Sequence, residues 1–150
     1  MIPIGTQDER RYSIDLTEEE SRGGHTIRHH VGKTDDEMRQ RVQENMYRTR
    51  FFTIGFRRSG SFPSMESAND LTNRTLEQNR DIVDQVASGT RDAAFVERRF
   101  GYATGREAYS TEDGVLYMRN TYGVGVRILH DPRSPRGYRV YTSDPRKDGD

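Results

Sequence analysis

Residues 124–143 read VGVRILHDPRSPRGYRVYTS. Two runs of β-branched and aromatic residues, 124–130 and 137–143, flank the loop DPRSPRG, whose prolines and glycine stop both runs. The pattern predicts an antiparallel hairpin. Upstream, GVLYMRN (114–120) and AAFVERRFGYAT (93–104) are strand segments of the same kind. Before Gly89 the character is helical. From about Ser67 to Ser88, Ala68, Leu71, Thr75, Ile82, Val83 and Val86 form one stripe, and Gly89 stands where a C-cap glycine belongs. Thr34 followed by Glu37 is a capping box that opens a helix from about Asp35 to Asn45, with Met38 and Val42 facing inward. Thr17 with Glu20 is read as a second box, and His25 to His30 as a short helix ended by Gly32. Residues 46–66 are mixed, with Phe51, Phe52, Ile54, Phe56 and Phe62 as core candidates. Helices first and strands later predict an α+β fold with an antiparallel sheet. Residues 1–16 read as a linker or flexible tail, 17–147 as the domain and 148–150 as a short C-terminal tail.

The composition narrows the chemistry. At 150 residues the chain has the size of one domain. It is polar, 31% hydrophobic and 32% charged, so its core is small. Eight Tyr, six Phe and zero net charge do not fit a disordered chain. No apolar run approaches the roughly 20 residues of a membrane helix. The first residues, MIPIGTQDERR, lack the plan of a signal peptide, so any export address is expected elsewhere, such as on a larger parent chain. The absence of cysteine excludes disulfides, thiolate nucleophiles and cysteine metal sites. Charge is segregated: residues 21–60 carry nine bases and four acids, net +5, and residues 119–147 carry seven and two, also net +5. The flanking segments 1–20 (two bases, six acids) and 61–118 (six bases, ten acids) are each net −4. Of the 24 basic residues, 22 are arginine, the better bidentate partner for phosphate. If the two basic segments meet, they make a cleft for a polyanion.

The densest reactive cluster is GGHTIRHHVGK, residues 23–33, with His25, His29 and His30. His25 and His29 stand at i, i+4, but a zinc site needs a third ligand, and Thr26, Ile27 and Arg28 fill the gap between them. A metal-dependent nuclease using His25 and His29 is therefore kept only as an alternative. Histidine among cations suits acid–base work on a phosphodiester. Cleaving RNA without metal needs a base for the ribose 2′-hydroxyl, donors for the pentacoordinate phosphate and an acid for the leaving 5′-oxygen. Serine-nucleophile and phosphate-loop motifs are absent.

GGHTIRHHVGKT (23–34), a helix with Arg41, SGSF (59–62), LEQNRDIV (76–83) and GYRVYTSDP (137–145) follow one another in an order that resembles the bacterial ribonuclease A-like toxin domain. That domain is the C-terminal toxin of contact-dependent growth inhibition and related polymorphic toxin proteins. The resemblance covers about residues 17–146. It implies N-terminal helices packed on an antiparallel, kidney-shaped sheet similar to ribonuclease A, without its disulfides. It also implies metal-independent endonuclease cleavage of RNA, tRNA being one candidate, leaving 2′,3′-cyclic phosphate ends. No cofactor or metal is expected. The partners implied are RNA and a cognate immunity protein, with a monomer when free. Delivery would be from a secreted or cell-surface parent toxin, with action in the target-cell cytoplasm.

Carried over by position, the resemblance makes His30 the leading catalytic residue, with Arg41 and Thr142 stabilising charge and His25 as a further participant. Lys33, Tyr141 and Asp144 are substrate-binding candidates. The departure is Asp144, which stands where the family has tyrosine. Three readings follow: Asp144 points away and Tyr141 or Tyr138 covers the role, Asp144 orients His30, or the chain is a weakened, RNA- or partner-binding member. His130 is expected at the surface.

Overall fold

A computed structural model describes residues 12–48, 53–55, 58–111 and 114–147. The helices are α1 (Leu16–Ser21), α2 (Thr26–His30), α3 (Asp35–Asn45), α4 (Met65–Gln78) and α5 (Arg80–Ala87). The strands are β1 (Met46–Arg48), β2 (Thr53–Gly55), β3 (Arg58–Ser61), β4 (Ala93–Arg99), β5 (Gly105–Ser110), β6 (Leu116–Thr121), β7 (Gly123–His130) and β8 (Tyr138–Arg146). All the strand pairs are antiparallel, in the orders β1-β2, β3-β5-β6 and β4-β7-β8. The fold is α+β, and its main sheet surface is built as two three-stranded sheets. No described helix is long and apolar enough to cross a membrane.

Local sequence accounts for most helix ends. Thr34 and Glu37 form a reciprocal box: the Glu37 backbone N–H donates to Thr34 Oγ1 at 3.1 Å, and the Thr34 N–H donates to Glu37 Oε1 at 3.2 Å. The box expected at Thr17 and Glu20 is not formed. Asp15 caps α1 instead, accepting from the Thr17 N–H. Glu20 faces the start of α2, where its two oxygens accept from the N–H groups of Ile27 and Arg28 at 3.0 and 2.9 Å. A carboxylate there satisfies free donors and the positive end of the helix.

The single helix expected over 67–88 is broken into α4 and α5 at Asn79. Its side-chain amide donates to the carbonyls of Thr75 and Glu97, which ties the break to β4. Gly89 follows α5 with a positive φ of 83°, the cap expected there.

The main core gathers Leu16, Phe62, Leu76, Val83, Val126, Ile128 and Tyr138 between the helices and the β4-β7-β8 sheet. A smaller core joins Met38 and Val42 of α3 to Ala108 of β5. Of the expected tail, residues 1–11 lie outside the described residues, as do 148–150. Residues 12–16 pack rather than dangle. Ile14 and Leu16 are buried, and their N–H groups donate to the side chains of Asn73 and Asn69 on α4. Phe51, Phe52 and Phe56 also lie outside the described residues, as does the side chain of Ile54, while Phe62 is fully buried. His130 is half-buried rather than exposed; its Nδ1 lies 2.8 Å from the Val86 carbonyl at the end of α5.

The hairpin expected from residues 124–143 is β7 paired with β8, and the pairing runs on to Arg146. Its register shifts between Arg127 and Ile128, where Thr142 pairs with Arg127 and Val140 with Ile128. Tyr141 is thus the extra residue of a β-bulge. Before the bulge Tyr138 and Val140 are buried; beyond it Ser143 and Pro145 are. The phase change leaves Tyr141, Thr142, Asp144 and Arg146 only partly covered, which assembles the wall described next.

Candidate active site

The site lies at the free edge of β3. Helix α2 ends against that edge: the Phe62 N–H donates to the His30 carbonyl and the Gly32 N–H donates to the Phe62 carbonyl, both at 2.8 Å. Glu20 holds the start of α2 and these bonds hold its end, so His29 and His30 are fixed from both sides. The side chain of His30 is fixed as well. Its Nδ1 lies 2.7 Å from the carbonyl oxygen of Gly60. A carbonyl only accepts, so Nδ1 carries the hydrogen and the neutral ring presents its lone pair on Nε2. Burial pushes the His30 pKa below its ordinary value; Asp144 and the Gly60 bond oppose this, and Arg41 and Arg146 add to it. His29 is pushed down to about 4 by burial first, then by Arg41 and the other two histidines. Both rings are neutral at pH 7.

Arg41 approaches from α3. Its Nη1 donates to Ser59 Oγ at 3.1 Å, and burial lowers its pKa while Asp144 raises it. Asp144 therefore faces the site, near enough to act on both His30 and Arg41. Arg146 lies beside it, with Nε 3.3 Å from a carboxylate oxygen. Asp144 does not point away, and the hydrogen bond that orients His30 Nδ1 comes from Gly60.

His25 joins the cluster from the other end of α2. Its backbone N–H donates to the Tyr141 carbonyl at 2.9 Å, its ring meets the Tyr141 ring edge-on at 5.0 Å, and it stacks on His29 at 6.0 Å. His25 Nδ1 is buried with no hydrogen-bond partner among the described residues. Thr142 follows Tyr141 on the bulge. Lys33 is held through its N–H, which donates to Ser61 Oγ at 2.9 Å. Its side chain, with those of Arg28, His29, Arg41 and Ser59, lines a cleft of about 330 Å³. The two basic segments of the chain therefore adjoin, the first through α2, α3 and β3 and the second through β8. Among the described residues, no group of three His, Asp or Glu side chains could hold a metal ion.

Sequence reasoning missed Gly60, Ser59, Glu20 and Arg146. Gly60 acts through a carbonyl that every residue has, and Glu20 through a helix it does not belong to. Arg146 was legible in principle, because i, i+2 residues share a strand face.

Comparison with known proteins follows the same lines. A family model described as the bacterial CdiA-CT RNAse A domain matches residues 24–145. A crystal structure of a CdiA-CT/CdiI complex from Y. kristensenii has a similar fold. Its TM-score is 0.65 at 24% identity, over 81% of this chain and 98% of that one. Comparison with curated proteins finds no match.

Proposed function

Because the chain belongs to the bacterial CdiA-CT RNAse A domain family, we propose that it is a toxin ribonuclease that cuts RNA by attack of the ribose 2′-hydroxyl, without a metal ion. The observation that carries this reading is the His30–Gly60 bond, which leaves a neutral, fixed imidazole with Nε2 free to accept a proton. In the proposed step His30 Nε2 takes the proton of the 2′-hydroxyl. The O2′–P bond forms, and the added charge on the phosphate oxygens is met by Arg41 and the Thr142 hydroxyl. The P–O5′ bond then breaks and the leaving oxygen takes a proton, for which His25 is the second imidazole of the cluster. The products are a 2′,3′-cyclic phosphate and a 5′-hydroxyl. Lys33 and Arg28 line the cleft that would hold neighbouring phosphates.

Asp144 fits this chemistry because Arg146 offsets its charge. It acts on His30 by favouring the protonated ring. Its sign gives a test. A general base works deprotonated, so kcat/KM rises with pH through the His30 pKa, which lies below 6.5. Asp144→Asn removes the charge that raises that pKa, so the acid limb of the profile moves to lower pH. A limb that stays in place or moves upward would take His30 out of the role of base.

The neighbour of similar fold is a CdiA-CT in complex with CdiI, and we infer for this chain a cognate immunity protein that covers the basic cleft with an acidic face. Delivery as the C-terminal part of a larger protein, and action in the cytoplasm of a target cell, complete the reading.

A further inference from the structure

Across β4, β7 and β8 the register sets Phe95 beside Arg127 and Arg127 beside Thr142. The next row sets Glu97 beside Gly125 and Gly125 beside Asp144. The alternate residues Val96, Val126 and Ile128 turn into the main core. Phe95, Arg127, Thr142 and Asp144 therefore share the other face of the sheet. Thr142 and Asp144 are what β8 gives to the candidate active site. Arg127 stands on their face, one strand away, with its backbone about 5 Å from that of Thr142.

Strand β8 separates Arg127 from the cations already placed in the cleft. One edge of β8 pairs with β7. The other edge is held by α2, where the His25 N–H donates to the Tyr141 carbonyl and the Ser143 N–H donates to Thr26 Oγ1. Arg28 and Lys33 line the cleft on the α2 side, and Arg127 lies on the β7 side. Arg127 is exposed, and among the described residues no hydrogen bond or ion pair engages its guanidinium. It is held instead over the Phe95 ring, 5.5 Å from the ring centre. That ring is fixed in turn: it lies across Gly125, where an added Cβ would overlap it, and the Arg146 guanidinium covers it at 4.4 Å. A ring face orients a guanidinium without neutralising it, so the N–H donors of Arg127 stay available to an anion. Arg146 differs, because it is paired with Asp144.

We propose that Arg127 forms a phosphate-binding subsite on the β7 side of the scissile bond and holds the phosphodiester next to the one that is cut; the proposal rests on the ribonuclease reading. A strand whose scissile phosphate sits among His30, Arg41 and Thr142 and continues over β8 meets the Arg127 guanidinium next. With Arg28 and Lys33 on the opposite side, the RNA is gripped by a phosphate on each side of the reacting one. Such contacts set the register of the strand without reading its bases.

The test measures binding of a fluorescein-labelled single-stranded RNA dodecamer to His30→Ala protein, which holds the strand without cutting it, over a series of salt concentrations. Adding Arg127→Gln should raise Kd about fivefold at about 0.1 M salt, and should flatten the plot of log Kd against log salt by about 0.7, the share of one phosphate contact on a single strand. Arg127→Lys, which keeps the charge, should retain most of the affinity and the slope. Arg133→Gln is the control: it removes another exposed arginine of the same basic segment, in the loop at the end of the β7–β8 hairpin, and should change neither. An unaltered slope in Arg127→Gln would overturn the proposal. Equal flattening in Arg133→Gln would also overturn it, because the effect would then be one of net charge. A His30→Ala protein without salt-dependent affinity for the strand would do the same. The ribonuclease reading is judged separately, by whether the parent protein cuts the strand and the His30→Ala protein does not.

Discussion

Replacing His30 by alanine is expected to lower kcat/KM for RNA by about 10³-fold, or about 4 kcal/mol of transition-state stabilisation. The loss in stability should be far smaller. The side chain makes one neutral hydrogen bond, from Nδ1 to the Gly60 carbonyl, and such bonds contribute about 1 kcal/mol net. His30→Asn separates the two roles. An asparagine amide reaches about as far as Nδ1 and can donate to Gly60, but it has no basic nitrogen in the place of Nε2. Asparagine should therefore recover the melting temperature and leave cleavage as low as alanine does. If the asparagine variant cut RNA at the parental rate, His30 would be an anchor for α2 and the base would lie elsewhere.

The second large effect falls on a residue with no side chain. A Cβ at Gly60 would overlap the carbonyl oxygen of Pro145 and press on its ring. The obstacle is backbone, so it cannot rotate aside, and β3 and β8 would have to part. Gly60→Val should destabilise the protein by about 2–3 kcal/mol, on the order of 8 °C in Tm. Cleavage should fall further than stability, because the same shift moves the carbonyl that holds His30 and separates β8, with Thr142 and Asp144, from α2. Gly101 is the control. A Cβ there meets nothing within 4 Å, so Gly101→Val should leave both thermal unfolding and cleavage near the parental values. Equal melting curves for the two variants would mean that the close approach of β3 and β8 does not hold the site together.

What could be read in advance depended on how far apart the interacting residues lie. The Thr34–Glu37 box closes within one turn of helix, and it formed as read. The same spacing at Thr17 and Glu20 did not, because Glu20 satisfies a second helix seven and eight residues away. The hairpin of residues 124–143 was legible from its alternation and its proline loop. Strand β5, GREAYS, was not. It carries a glutamate in the core, which reads as surface until Arg58 and Arg119 are brought beside it by pairing. Asn79 looked like one more helical residue, since its bond to the Glu97 carbonyl exists only once α4 lies on β4. The basic segments, read from charge counts alone, do adjoin. The histidine cluster was visible as composition, but the partner that sets the His30 tautomer is a backbone carbonyl thirty residues away, which no side-chain pattern marks. The departure at Asp144 left three geometries open; in the fold the carboxylate pairs with Arg146, and its charge acts on His30 and Arg41.

Metal-independent attack by the 2′-hydroxyl can be read from the ends of the RNA fragments. The purified protein is incubated with total bacterial RNA in excess EDTA, and the fragment ends are identified chemically. Cleavage should be undiminished by the chelator, with 2′,3′-cyclic phosphate on one fragment and a 5′-hydroxyl on the other. RNA left intact in EDTA but cut when a divalent cation is restored, or fragments bearing 5′-phosphates, would contradict it.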